Sequence, residues 1–182
     1  DWSASNFHDS LRPMGAIALT SVLRFRAART LAGFYELLEE DALHQAYNDL
    51  ANRIAQSVIT HLLREDGWMI AASQVDRQPD IWSTSRAVYI GLLTGKAAHR
   101  ACEAMLRAYR EGTVSAWGYL RHTPTSADAT PGKIVWEHDL ESLRGLYGIY
   151  QTGGYWPQPL GYYAYALAQV DQNAARQIAI EF

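Results

Sequence analysis

Apolar residues return at helical spacing along most of this chain, and the links between those runs alternate between very short and long. That alternation predicts antiparallel helices joined pairwise by tight turns, with the long connections gathered at the other end of the stack. From Met14 to Leu38 the periodic residues are Ile17, Val22, Phe25, Ala28, Leu31, Phe34 and Leu38, and Pro13 suits a first helical turn because its missing N–H needs no partner there. Glu39, Glu40 and Asp41 end that helix. A second is expected from Ala42 to Leu63, with Leu43, Tyr47, Leu50, Ile54, Val58 and Leu62 on one face. Further helices are expected at 81–93, 97–110, 136–150 and 160–169, and Asp171 is placed to cap a last one. The fold class is therefore all-α: about seven helices in antiparallel hairpins forming one domain. Its long links, 64–80, 111–135 and 151–159, lie on one face.

What those links carry is aromatic. The chain has six Trp and eleven Tyr in 182 residues, a load that either fills a core or stacks on planar ligands and sugar faces. The net charge of -3 supplies no basic footprint, so nucleic acid is not an expected partner. No apolar run is long enough to span a bilayer, and no membrane partner is expected. A lone cysteine, Cys102, rules out an intrachain disulfide. No H-E-x-x-H, cysteine cluster, Walker loop or G-x-G-x-x-G is present, so neither a metal nor another cofactor is expected.

The most unusual stretch is GGYWPQPLGYYAYALAQVD, Gly153 to Asp171. Two glycines allow close backbone approach, and two prolines stiffen the loop. Tyr155 and Trp156 are thus held at a helix mouth, where ordering them on a ligand costs little entropy. The segment Asp80–Leu93, DIWSTSRAVYIGLL, resembles 154–167, GYWPQPLGYYAYAL, and 7–18 reads as a weaker third copy. Small residues along these segments (Gly15, Ala16, Ala18, Gly91, Gly161, Ala164, Ala166, Ala168) suit helices that approach closely.

The order P-D-I-W-S-T-S-R-A-V-Y, R-H-T-P-T-S-A-D, W-E, then Y-Q-T-G-G-Y-W-P-Q-P-L-G-Y-Y-A-Y-A-L-A-Q-V-D resembles the catalytic domain of six-hairpin glycosidases, bacterial α-L-rhamnosidase-like members above all. Asp1-Trp2 also resembles the Asp-Trp that precedes a helix there. The resemblance covers nearly the whole chain and is most specific from Gln151 to Asp171. It implies the later half of an α/α toroid, whose general acid, in an acidic arginine-containing motif, would precede Asp1. A half toroid bares inner-helix surface, so self-association or union with the missing half is expected.

Hydrolysis of a glycosidic bond uses two carboxyl groups, roughly 6.5–9.5 Å apart in an inverting enzyme, the stereochemistry that the resemblance implies. Glu137, beside Trp136 at a loop–helix junction, is the first candidate for general base. A Glu stabilised by the helix dipole is the structural alternative. Asp80 before Ile81-Trp82 and Asp9 before Pro13 are the other candidate carboxylates; each also suits a helix cap, and for Asp80 capping is the preferred reading. Trp2, His8, Trp82, Trp117, Arg121, His122, Trp136, Tyr155 and Trp156 are the candidate substrate-binding residues, with a carbohydrate as the expected ligand. A non-catalytic carbohydrate-binding module and a structural hairpin repeat are the competing readings.

Overall fold

The structure, a computed structural model, describes residues 15–74, 77–125 and 154–182. Among them are six helices: α1 (Ala18–Leu37), α2 (Asp41–His61), α3 (Ile81–Tyr89), α4 (Gly95–Arg110), α5 (Leu160–Ala168) and α6 (Gln172–Glu181). Two short strands, β1 (Ser115–Ala116) and β2 (Tyr119–Leu120), form an antiparallel hairpin inside the long 111–125 loop. The expected helix from Trp136 to Tyr150 lies outside the described residues. The helices pack as three consecutive pairs, and the first members form a row in which α3 contacts both α1 and α5. No described helix is long and apolar enough to cross a membrane.

Local chemistry explains most boundaries. Asp171 accepts hydrogen bonds from the Asn173 and Ala174 N–H groups and so caps α6. Pro159 occupies the N-cap of α5. Helix α3 stops at Tyr89 rather than continuing to Leu93. Gly91 has φ of +72°, its N–H reaches the Val88 carbonyl, and the Leu92 N–H reaches the Ala87 carbonyl, a Schellman ending. Gly91 therefore serves a turn and not a close helix contact. A Cβ at Gly161 would also meet nothing within 4 Å, whereas Ala87 and Ala166 do lie at buried helix contacts. Helix α1 ends in the same Schellman pattern, but with Glu39 in the left-handed position at φ +58°.

The core runs through all six helices. Tyr163 is its largest fully buried side chain, and its hydroxyl donates to the Met105 carbonyl at 2.7 Å. Burial pushes its pKa well above the usual 10.0. The expected face of α1 is corrected in its second half. Ile17, Val22, Phe25 and Ala28 are buried, but Ala32 continues the buried line while Leu31, Phe34 and Leu38 are exposed. At 3.6 residues per turn, Leu31 and Phe34 stand about 120° and 180° around the helix from Phe25. On α2, Ala51 and Val58 are buried, and Leu62 at its C-cap is buried too. Leu50 and Ile54 pack against them, while Leu43 is exposed. Tyr47 stacks on Tyr35 with centroids 5.5 Å apart.

Candidate functional site

The long connections meet. After α2 the chain doubles back: Leu63 bridges Met69, and the Ile70 N–H donates to the Leu62 carbonyl at 2.8 Å. The returning segment pairs with the approach to α3, where the Ala71 N–H donates to Gln78 and the Asp80 N–H to Met69. The 111–125 loop joins from the other side, because the His122 carbonyl accepts from the Ile81 N–H at 2.9 Å. The third loop adds to its hairpin, with Leu120 and Trp156 exchanging both backbone bonds at 2.8 and 2.9 Å. Each contact satisfies a backbone group that a buried loop would otherwise leave unpaired. The short turns lie elsewhere. The turn at 91–95 shares a surface cleft with Tyr165, Gln169 and Val170 beside the α5–α6 turn.

At the centre of this junction are Asp80, Trp82 and His122. Asp80 is 1% exposed and caps α3: Oδ1 accepts from the Ser83 N–H at 2.9 Å and Oδ2 from the Ser83 hydroxyl at 2.5 Å. His122 Nε2 stands 3.4 Å from Asp80 Oδ1, and its ring lies parallel to Trp82, with centroids 4.7 Å and planes 9° apart. The Trp82 indole N–H donates to the Arg121 carbonyl at 3.1 Å. Thr84 ties the same turn to the returning segment, its hydroxyl oxygen accepting from the Met69 N–H at 3.0 Å. A carboxylate, an imidazole and an indole are thereby locked in one buried layer by bonds from three stretches of chain.

Beside that layer, only the rings of the third loop are more accessible. The Arg121 guanidinium, itself buried, faces the Tyr155 ring at 5.8 Å. Tyr155 is exposed and Trp156 half-buried, both on the third loop. The capping alternative for Asp80 is what the hydrogen bonds show. Trp82 is 4% exposed and one of its faces is covered by His122, so it supports the layer and presents little ring to solvent. Trp117 occupies the tip of the β1–β2 hairpin, 83% exposed, with φ of +50°. The next residue, Gly118 at φ +74°, abuts the backbone of Phe182 so closely that a Cβ there would collide with it. The tip therefore lies against the end of α6, and Trp117 is not in the Asp80–His122 layer. Asp9, Glu137, Trp2, His8 and Trp136 lie outside the described residues.

One residue had no signal of its own. Gln78, within the D-R-Q-P-D loop leading to Asp80, has its side-chain amide nitrogen buried with no hydrogen-bond partner among the described residues, a costly state for a donor. A Gln in a polar loop gives no pattern by which to single it out. Among the described residues no group of His, Cys, Asp and Glu is arranged to hold a metal ion. Comparisons with known protein families, curated proteins and solved structures returned no match for this chain.

Proposed function

We propose that this chain is a catalytic region of a glycoside hydrolase, built on hairpins of an α/α toroid, that cleaves a glycosidic bond in an oligosaccharide with inversion. The supporting observation is the meeting of three separate connections at Asp80, Trp82, Arg121, His122, Tyr155 and Trp156. Rings beside a guanidinium suit a saccharide: the apolar face of a pyranose stacks on an aromatic ring, and its hydroxyls take charge-assisted hydrogen bonds. In this reading Tyr155 and Trp156 receive the sugar and Arg121 holds its polar edge. Asp80 and His122 keep the platform rigid. Glu137 is the general base that removes a proton from the attacking water. A second carboxyl group protonates the leaving oxygen.

One observation favours a second reading, carbohydrate binding without hydrolysis. Both oxygens of Asp80 are engaged at the α3 cap, so it is not available as an acid or a base. The test is release of reducing sugar from a panel of oligosaccharides and aryl glycosides, with calorimetric binding of the same sugars. Glu137→Gln is expected to abolish turnover and leave the thermal melt unchanged; turnover at the wild-type rate removes Glu137 from the mechanism. Trp156→Ala is expected to weaken sugar binding by about 1–3 kcal/mol, as loss of an aromatic stacking surface does elsewhere. Unaltered affinity assigns Trp156 to packing alone. Binding without turnover of any substrate selects the second reading.

A further inference from the structure

Helix α1 is apolar on two opposite faces. One carries Val22, Phe25, Ala28 and Ala32 into the core. The other carries Leu23, Ala27, Leu31, Phe34 and Leu38, all exposed, with Phe34 at 57% and Leu38 at 67%. Their spacing of four, four, three and four residues makes one continuous stripe. Near its C-terminal end the stripe borders a shallow groove of about 430 Å³ lined by Leu31, Phe34, Tyr35, Leu37 and Leu38. A helix apolar on both sides belongs inside an assembly, and exposed apolar patches of this kind mark interaction surfaces.

The stripe also says what fits it. Its N-terminal half is flanked on opposite sides by Arg24 and Arg26, neither of which forms an ion pair among the described residues. Its C-terminal end runs into the acidic turn Glu39, Glu40 and Asp41. We propose that this face of α1 pairs with α1 of a second copy of the chain, antiparallel across a two-fold axis near Leu31. In that register Leu38 of each copy meets Leu23 of the other, and bulky Phe34 meets small Ala27. The acidic turn of each copy lies beside the two arginines of the other. A parallel pairing sets arginines against arginines and acids against acids, which is repulsive. Large against small and acid against base, repeated twice by the same operator, is the self-complementarity of an isologous interface.

Sedimentation equilibrium of the 182-residue chain at micromolar to sub-millimolar concentration tests this. The wild type is expected to be a dimer. Phe34→Glu is expected to be a monomer with unchanged far-ultraviolet circular dichroism, since Phe34 takes no part in the core. Arg24→Glu with Arg26→Glu is expected to raise the dimer Kd about tenfold. Adding Glu39→Lys and Glu40→Lys to that variant is expected to restore it, because each copy then regains opposite charges. A monomeric wild type, including one that instead floats with anionic phospholipid vesicles, overturns the proposal. So does a Phe34→Glu variant that still dimerises, or a fourfold charge swap that stays as weak as the double variant.

Discussion

Replacing Asp80 by Ala removes three things at once from a buried place: the acceptor for the Ser83 N–H at 2.9 Å, the acceptor for the Ser83 hydroxyl at 2.5 Å, and the oxygen 3.4 Å from His122 Nε2. Loss of an N-cap alone costs about 0.5–2 kcal/mol. Ser83 is fully buried, so a hydroxyl left there without its acceptor adds about 1–3 kcal/mol. The sum is about 1.5–5 kcal/mol, which for a chain of this size lowers Tm by about 3–20 °C. Asp80→Asn retains the shape and a capping oxygen, and Asn caps as well as Asp, so it is expected to cost about 1 kcal/mol. Urea unfolding followed by far-ultraviolet circular dichroism measures both variants. An Asp80→Ala protein within about 1 kcal/mol of wild type refutes this account of the cap. The same pair of variants separates structure from ligand contact. If Asp80 only holds the platform, Asp80→Asn binds sugar as the wild type does. Lost affinity at unchanged stability makes Asp80 a ligand of the substrate.

Glu39 is a non-glycine residue at φ +58° in a position that helices usually give to glycine. Glu39→Gly is expected to raise stability by about 0.5–1 kcal/mol, relief of the left-handed strain exceeding the extra freedom of the unfolded chain; a lower urea midpoint contradicts this. The Asp171 carboxyl is held below its ordinary 3.8, first by the hydrogen bond from the Ala174 N–H and then, against the opposing effect of burial, by Arg110 and the Asn173 N–H. A carboxyl with a depressed folded-state pKa stabilises the fold above its unfolded value, and that contribution disappears as pH falls through the folded one. The difference in urea midpoint between wild type and Asp171→Asn is therefore expected to be present at neutral pH and to shrink below pH 3.8. A difference that stays constant into acid contradicts the assignment.

The caps and most helix runs were legible because their signals are local. Asp80 and Asp171 precede their helices by one residue, where a short carboxylate reaches the second or third N–H without help from the rest of the chain. The β1–β2 hairpin was not legible. Strands of two residues are too short for alternation to register, and the Trp117-Gly118 turn offers only one glycine as a cue. The register of α1 was half legible. Leu31, Phe34 and Leu38 satisfy a helical period with a tolerance wide enough to slide onto a second stripe, and only packing against α2 shows which stripe is buried.

Local order in this protein came from information within a few residues. That covers which stretches are helical, where Asp or Pro begins them, and that the long connections carry the rings. The site depends on pairings far apart in sequence. Trp82 lies against His122 because the carbonyls of Arg121 and His122 accept from the Trp82 indole and the Ile81 amide. Leu120 meets Trp156 through backbone groups that every residue carries. Backbone hydrogen bonds between distant loops impose no side-chain pattern. Their choice among alternatives is made when the helices pack and bring those loops to one end.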